Sequence, residues 1–399
     1  MKIVVFSPDI PFPPNRGGRA DIWRRIEAFV RLGHEVMLVN LYEPAGASAP
    51  KESELRVVDS VVARRFSFPI KRSAVRTISQ LAGCWRVPWH AATRIPDPAE
   101  FRLLRSDVAE FKPDLFWLDG PWFGVASFQL AAELSVSVVY RSHNIEHVYL
   151  PRQARAAVRW RDRLAWMVAS AGLERFEYRM LRQAQAVFDI SVDDLNFWKA
   201  RGVPRLHWLP PLSELALREK PSEVVPGDVV FVGNLGTPNN VRGVEWLIRD
   251  ILPYVQNRFP RVTFRIVGSN PTPFIRGLMK SVSGVELAEN VKDVQPYLFG
   301  AKVLVNPVMS GSGVQVKMLD MLMTNAPIIT AHQGTKGLPD EFRLLFRVFD
   351  ETRGFAEAIC DELQSPTVDI KARERARESF SIGSVDRALD VASGGNICR

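Results

Sequence analysis

Residues 306–330 read NPVMSGSGVQVKMLDMLMTNAPIIT, and this stretch decides the fold. The apolar run 303–305 that leads into it is typical of a buried strand, and the glycine-rich segment 310–313 interrupts the pattern. Apolar side chains then recur at helical spacing over 316–323, which predicts a helix that begins right after the glycines, with the next strand at 328–330. Parallel α/β sheets are built from such units.

The glycine-rich loop in this stretch suits a phosphate group. Gly311 and Gly313 let the backbone approach a ligand closely, and the first turn of a helix leaves N–H groups unpaired. Lys317 follows one turn later, where its ammonium group would meet the same anion. Similar corners occur in α/β proteins that bind no phosphate, so the pattern by itself leaves both interpretations open.

The start of the chain predicts the same kind of unit. A short β-branched strand at 2–6 is followed by a proline-rich loop, then Gly17 and Gly18, then a helix that ends near Gly33, and a strand at 35–40. The glycines do not form the GxGxxG pattern of a dinucleotide site, so we do not expect NAD binding.

The second half of the chain repeats this alternation. A strand at 228–232 runs into a glycine corner at 233–238, and a helix and further strands follow. We therefore predict the α/β class, with two doubly wound domains that face a cleft and hold one ligand between them.

The boundaries of the two domains and of the linker are predicted from the composition of the chain. The first domain covers 1–211, and a proline-containing, mixed-charge linker covers 212–227. The second domain covers 228–368, and the tail 369–399 carries a charged helix over 369–390 that crosses back to the first domain.

Composition limits the class of protein and its compartment. The chain has 399 residues, enough for two domains, and a formal net charge of +8, which favours an anionic partner. Its cysteines, Cys84, Cys360 and Cys398, show no disulfide framework or metal-ligand spacing, which indicates a reducing, cytoplasmic compartment. The sequence shows no signal peptide and no stretch long enough to span a membrane.

A basic segment at 63–96 combines seven Arg and Lys side chains with Phe and Trp and contains no acidic residue. This combination is typical of attachment to an anionic membrane surface on the inner face of the plasma membrane. The alternative is a solvated insertion whose aromatic side chains pack into the core. Nucleic acid is not expected as a partner, because the basic clusters lie in insertions of an enzyme-like scaffold.

Two further features lie between 141 and 185. His143 and His147 follow a predicted strand, where ligands of a parallel sheet collect, but no third residue nearby completes a zinc site. The arginine-rich region 152–185 predicts packed helices with an inward apolar stripe, formed by Trp160, Leu164, Met167, Leu173, Phe176 and Leu181.

Taken together, these motifs resemble the retaining glycosyltransferases of family 4 (group 1), which have the GT-B fold of two Rossmann-like domains. The resemblance rests on the proline loop with Gly17-Gly18 up to Gly33-His34-Glu35-Val36, on the corner Phe231 to Asn234, on the strand end at Gly268, and on 311–327. It covers nearly the whole chain in the right order. It implies a nucleotide-sugar donor bound by the second domain, a glycan or lipid-linked acceptor bound by the first, and no cofactor, since the nucleotide sugar is a substrate.

The resemblance also implies roles for individual residues. Lys317 and Arg242 would pair with the donor diphosphate, and His143 would lie near the transferring sugar. Asp320 would bind the ribose, and the backbone of Val291 would pair with the base. The remaining donor-binding residues would be Gly17, Gly18, Gly233, Asn234, Gly311, Ser312 and Gly313.

Some positions depart from the family pattern. Ser312 replaces the first Glu of its E-x7-E motif, Asp320 shortens the second, and Asn234 stands where many relatives have a phosphate-binding Arg. Gln315 replaces a position that is often basic in some branches.

The sequence-based hypothesis is a retaining, metal-independent glycosyl transfer in surface-polysaccharide or glycoconjugate synthesis. Lys317, Arg242 and the helix start after Gly313 would stabilise the leaving diphosphate, and no Asp-x-Asp metal motif stands at a strand end. A noncatalytic GT-B relative that binds a nucleotide or glycan and a nucleotide-sugar epimerase remain as alternatives.

Overall fold

Two parallel β-sheets organise the chain, each in its own compact unit. The computed structural model describes residues 1–14, 17–44, 49–70, 87–156, 159–311 and 313–394. The first unit comprises Met1–Pro211 together with the C-terminal part from Ile382, and the second comprises Leu212–Ser381. Cys84 and Cys398 lie outside the described residues, and Cys360 is a buried free thiol.

The first sheet has seven strands in the order β3-β2-β1-β4-β5-β6-β7, and its described strand pairs are parallel. Its strand order reverses between β1 and β4, which creates a crevice at their carboxyl ends. The central strand β1 is almost completely buried, as expected for a strand covered on both faces. The strands are β1 Lys2–Ser7, β2 Glu35–Tyr42, β3 Arg64–Pro69, β4 Leu115–Asp119, β5 Ser137–Ser142, β6 Ala186–Asp189 and β7 Leu206–Trp208.

Helices connect these strands and cover both faces of the sheet. Gly33 has a positive φ of 82° and ends the first helix, as its position in the sequence predicts. The helices are α1 Gly17–Arg31, α2 Glu52–Val61, α3 Trp89–Ala92, α4 Pro98–Phe111, α5 Gly124–Leu134, α6 Glu146–Ala156, α7 Trp160–Ser170, α8 Leu173–Gln183 and α9 Val192–Ala200.

The second sheet has six strands in the order β10-β9-β8-β11-β12-β13, also with parallel described pairs. Its strands are β8 Gly227–Asn234, β9 Phe264–Ser269, β10 Val285–Glu289, β11 Ala301–Asn306, β12 Ile328–Thr330 and β13 Arg347–Val348. Its helices are α10 Pro238–Trp246, α11 Leu252–Arg258, α12 Pro273–Ser281, α13 Gln295–Phe299, α14 Val316–Leu322, α15 Asp340–Arg343, α16 Thr352–Gln364 and α17 Ile370–Ser379. A π-helical segment, Leu247–Ile251, joins α10 to α11.

The tail is two helices, and the prediction of one helix over 369–390 is therefore wrong. A break follows α17 at Phe380, and α18 (Ile382–Ala392) belongs to the first unit, where it packs on α1. The segment 212–227, predicted as a linker, is part of the second unit and contains the 3₁₀ turn Glu214–Ala216.

The inward stripe predicted over 152–185 is only half right. Leu173, Phe176 and Leu181 on α8 are buried, whereas Trp160, Leu164 and Met167 on α7 are 70%, 53% and 56% exposed. The prediction failed for α7 because this helix has apolar residues on two faces. The face that carries Trp166 and Ala169 packs against the unit instead.

The described part of the basic segment 63–96 is largely used by the fold. Residues 64–69 form the edge strand β3, in which Phe68 is buried, and the guanidinium groups of Arg64 and Arg65 pair with Glu110 and Asp59. Residues 71–86 lie outside the described residues. Here the alternative of aromatic side chains packed into the core fits better than the membrane interpretation. Among the described residues, no helix is both long and apolar enough to span a bilayer.

Candidate active site

The glycine corner after β8 forms one wall of the site in the second unit. The side-chain oxygen of Asn234 accepts a hydrogen bond from the Gly236 amide at 2.9 Å, and Asn240 donates to the Asn234 carbonyl at 2.9 Å. A Cβ on Gly233 would lie 2.9 Å from the Phe231 ring, so a larger residue would displace its neighbours. Glycine is required here because the corner is tightly packed.

Lys317 reaches this corner from α14. Its Nζ donates to the Asn240 side-chain oxygen at 3.0 Å and lies 4.5 Å from the centre of the Phe231 ring. Burial lowers the pKa of the Lys317 ammonium to about 7. A bound anion would favour the charged form of this amine, so its charge is sensitive to a ligand near neutral pH.

Arg242 reaches the same corner from α10. Its guanidinium donates to the Asn239 side-chain oxygen at 2.5 Å and to the Ser310 hydroxyl at 3.4 Å, and Ser310 also donates to Asn239 at 3.1 Å. Lys317 and Arg242 thus bind adjacent residues in the first turn of α10. Both cations that the resemblance implies for a diphosphate therefore lie at this corner, and their pairing with a diphosphate stays a prediction.

The glycine-rich loop after β11 differs from its prediction. Gly313 has a φ of 67°, and Gln315 has extended backbone, so α14 begins at Val316 and not right after the glycines. The helix has only 7 residues, which limits its dipole. Binding of a phosphate group at this loop would therefore depend on the amide groups of the loop and on nearby cations. Gly311 is exposed, and Ser312 lies outside the described residues.

A polar cluster beneath this loop was not predicted. The Asn306 amide donates to Gln315 at 3.0 Å and to Thr330 at 3.3 Å, and Gln315 donates to the carbonyl of Gln333. Within the described residues, the buried Gln333 amide nitrogen has no hydrogen-bond partner, and it lies 3.7 Å from where a Cβ on Gly311 would be. A buried donor without a partner is costly, so it suits a ligand in the loop. The only sequence signal was a polar residue shortly after a predicted strand.

For Asp320 and Val291, the structure gives less direct support for the predicted contacts with the donor. Asp320 accepts hydrogen bonds from the Ser213 hydroxyl at 2.8 Å and from the Glu214 amide at 2.9 Å, so one carboxylate oxygen already stabilises the Glu214–Ala216 turn. Val291 lies half-buried in the loop after β10, next to Asn290, whose φ is 54°. Their roles with ribose and base stay predictions.

In the first unit, His143 lies at the carboxyl edge of the sheet. Its Nε2 is 3.0 Å from an oxygen of Asp119, the last residue of β4, and its Nδ1 is 3.7 Å from Asp21. Arg25 bonds both carboxylates, and Arg141 bonds Asp21 at 2.8 Å. Burial would raise the pKa of Asp21, but Arg141 and Arg25 outweigh it and hold this pKa well below its usual range. This charge network fixes the histidine ring.

Asp21, Asp119 and His143 are also the described residues whose ligand atoms lie close enough together to hold a metal ion. Two guanidinium groups already balance the charge of the two carboxylates. A divalent cation would be repelled by Arg25 and Arg141 at hydrogen-bonding distance from the same oxygens, so the chemistry of this cluster fits an ion-pair network better than a metal centre.

A cavity of about 380 Å³ and a neighbouring one of about 330 Å³ lie at this edge of the first sheet and share Pro8, Asp9, Arg19 and Arg94. The second is lined by Gly18 and His143, which brings together two predicted site residues, and by Glu146, which follows the same predicted strand as His143. Asp119 and Trp122 also line it, and sequence reasoning missed both. Gly17, one residue before Gly18, is exposed. The sequence signal for Asp119 is its position directly after the apolar run 115–118 and just before Gly120.

The second cavity presents groups that suit a polar ligand. Within the described residues, one buried oxygen of Asp119 has no hydrogen-bond partner. Burial and then the nearby Glu177 carboxylate raise the pKa of Glu146 to about 8, so that group is protonated at neutral pH and able to donate. An acceptor and a donor beside the half-buried Trp122 ring fit a sugar, which has hydroxyl groups and an apolar face.

Comparisons with known proteins agree with this layout. Residues 226–365 match the family model described as Glycosyl transferases group 1. A Klebsiella pneumoniae protein described as "Uncharacterized 44.6 kDa protein in cps region" is 25% identical over 348 residues, which is 84% of each chain.

Solved structures show the same fold over the full length. Anabaena Alr3699/HepE in complex with UDP has a TM-score of 0.64 at 13% identity, covering 99% of this chain and 100% of that one. The same protein has been solved with UDP-glucose. WaaG, a glycosyltransferase involved in lipopolysaccharide biosynthesis, has a TM-score of 0.59 at 14% identity and covers 98% and 100%. The solved structures show that this chain has the GT-B fold of two Rossmann-like domains, and within it residues 226–365 match the group 1 glycosyltransferase model.

Proposed function

We propose that this protein is a glycosyltransferase that binds a nucleotide-sugar donor in its second unit and transfers the sugar, with retention of configuration, to a glycan or lipid-linked acceptor bound by the first. The observation that supports this most is the meeting of Lys317 and Arg242 at the first turn of α10, beside the glycine-rich loop. Two cations at a helix start match the charge of a nucleoside diphosphate. The UDP complex of the Anabaena protein supports the same class of ligand.

The proposed reaction breaks the bond between the anomeric carbon and the diphosphate, and the acceptor hydroxyl attacks the same face. The acceptor proton passes to the departing phosphate oxygen. Lys317 and Arg242 stabilise the charge that develops on that group, a role that a metal ion serves in other enzymes, so we propose a metal-independent transfer. His143, fixed by Asp119, orients the transferring sugar.

We further propose that the reaction belongs to the synthesis of surface polysaccharide or glycoconjugate and takes place in the cytoplasm, at the inner face of the plasma membrane. The support comes from the Klebsiella relative in a cps region and from the biosynthetic role of WaaG.

A donor screen tests the proposal. UDP, GDP and their sugar derivatives are compared by thermal shift, because a ligand stabilises the native state in proportion to its binding. Radiolabelled sugar nucleotides that bind are then followed over time. Transfer or slow hydrolysis supports the proposed enzyme, binding without turnover indicates a noncatalytic binding protein, and interconversion of the sugar indicates an epimerase.

The key substitution is Lys317→Ala, which should lower the transfer rate at least about a hundredfold through loss of leaving-group stabilisation. Lys280→Ala is the matched control, because Lys280 is exposed in the last turn of α12, and its variant should behave like the wild type. Transfer by Lys317→Ala at the control's rate would remove the diphosphate assignment.

A further inference from the structure

Among the described residues of the first unit, three of the four most exposed large apolar side chains form a stripe on α7. Trp160, Leu164 and Met167 are spaced by four and three residues, so they project from one face of the helix, and each is more than half exposed. Trp160 is 70% exposed, which is unusual for a residue of that size. Exposed apolar side chains in one contiguous stripe indicate an interaction surface.

The stripe does not result from a loosely packed helix. On the other face of α7, Ala169 is buried, and Trp166 packs beside His90 of α3 with the ring centres 6.1 Å apart. This helix also contacts α6 and α8 closely. Because the inner face is already packed, the outer face remains available to a partner.

Positive charge surrounds the stripe. Arg161 and Arg163 lie on either side of it on the helical wheel, and the Arg161 guanidinium is 5.6 Å from the centre of the Trp160 ring. In the described part of the chain, neither guanidinium forms a salt bridge. The other exposed arginines of helices α6–α8 and of the residue before α7 are Arg152, Arg155, Arg159, Arg175, Arg179 and Arg182, against two exposed acids, Asp162 and Glu174.

The groove beside α8 continues this basic surface. Arg175, Arg179 and Arg182 recur along one face of that helix and line an open groove of about 750 Å³. Arg201 and Tyr178 also line it, and Glu174 is the one acidic residue among its described lining. Arginine binds phosphate oxygens in a planar, bidentate manner, so the groove is suited to phosphate groups.

We propose that the outer face of α7 docks onto an anionic phospholipid bilayer, with Trp160, Leu164 and Met167 in the interfacial layer and the surrounding arginines on lipid phosphates. A surface helix with Trp and Leu on one side and Arg beside them is the pattern of interfacial attachment. A stable protein interface buries about 800 Å² on each partner, more than three side chains of one helix supply. Docking onto a bilayer does not require a buried area of that size, because basic residues near an anionic membrane surface add electrostatic attraction.

This surface is separate from the basic segment 63–96. The docking proposal rests on the proposed membrane location of the enzyme and adds which surface contacts the bilayer. Binding to vesicles requires no sugar transfer. The proposed docking and the proposed reaction can therefore fail independently of one another.

Co-sedimentation with vesicles tests the docking. The wild-type chain should sediment with vesicles of phosphatidylglycerol and phosphatidylcholine, should remain in the supernatant with phosphatidylcholine alone, and should be released by high salt. Arg161→Gln with Arg163→Gln should weaken binding about tenfold or more. Arg375→Gln, which changes an exposed arginine of α17, is the charge control and should bind like the wild type.

The apolar part is tested with Trp160→Ser combined with Leu164→Ser, which should abolish most sedimentation. The matched control is Leu103→Ser with Leu344→Ser, because these leucines are 62% and 86% exposed on other elements. A thermal melt of each variant reports whether it is folded. Wild-type chain that does not sediment, equal binding to both vesicle types, or equal binding by the stripe variant and its control would overturn the proposal. A solution dimer that the stripe variant dissociates, with no vesicle binding, would assign the stripe to a second copy of the chain.

Discussion

At the scale of single residues, Lys317 shows how a predicted residue acquires its chemistry from the fold. The sequence placed a cation one turn after a glycine loop, but it did not show that the amine would lie against Asn240 and Phe231. Burial there lowers its pKa to about 7, so the free protein holds an amine that is partly neutral at physiological pH. A bound diphosphate would restore the charge.

This linkage predicts a pH dependence of diphosphate binding. Because the protonated amine binds the anion and the free amine has a pKa of about 7, UDP binding should take up a proton above that pH, and its affinity should fall between pH 7 and 9. The phosphate itself, with a pKa of about 6, is fully ionised in this window and adds no slope. Titration calorimetry at pH 8 in two buffers of different ionisation enthalpy measures the uptake.

Lys317→Met is the control for this prediction, because methionine is an unbranched side chain only one atom shorter than lysine and has no titratable group. It should bind UDP more weakly and show neither proton uptake nor a pH slope in the same window. An unchanged slope in Lys317→Met would mean that another group titrates.

At the scale of elements, α17 is held to the second sheet by a buried arginine. The guanidinium of Arg373 donates to the carbonyls of Thr324 at 3.1 Å, Ala326 at 2.5 Å and Leu345 at 3.3 Å, and these belong to the segments beside β12 and β13. Arg377 adds a bond of 2.6 Å to the Thr324 carbonyl. Two turns of α17 thus satisfy backbone groups that the strand ends leave unpaired.

Replacing Arg373 should therefore destabilise the second unit. Arg373→Ala leaves buried carbonyls without donors, at a cost of at least about 2 kcal/mol, and the urea midpoint should fall accordingly. Arg375→Ala, an exposed arginine two positions away, should change stability by less than about 0.5 kcal/mol. Equal midpoints for the two variants would show that the buried bonds contribute little.

The elements also show where periodicity misleads. The helix pattern over 160–181 correctly predicted the buried face of α8, but it assigned the wrong face of α7 to the core. When a helix has apolar residues on two faces, the sequence alone does not show which face is buried, because the neighbouring elements decide which face is covered.

At the scale of the whole molecule, the chain returns to its first unit at the C-terminus. Helix α18 buries Val385 and Leu389 in that unit, and Ser393 lies near Met1. The stability of the first unit therefore depends on residues far from it in sequence.

Substitutions in α18 test this dependence. Leu389→Ala should lower the free energy of unfolding by about 2 to 5 kcal/mol, because a fully buried leucine leaves a cavity. Val391→Ala, at a position that is 42% exposed on the same helix, should cost less than about 0.5 kcal/mol. Chemical denaturation followed by tryptophan fluorescence measures both, and similar losses would mean that α18 does not pack as the structure shows.

The sequence by itself determined the alternation of strands and helices and the two doubly wound sheets. It also placed Lys317, Arg242 and Gly18 on the helices that follow β11, β8 and β1, and His143 directly after β5. These properties follow from short-range patterns, because strand periodicity, glycine corners and helix stops act within a few residues. Only the tertiary structure decided that Asp119 and Asp21 hold His143, that Arg141 bonds Asp21 from 120 positions away, and which face of α7 is exposed. Such contacts depend on how distant segments pack, and no local pattern encodes them.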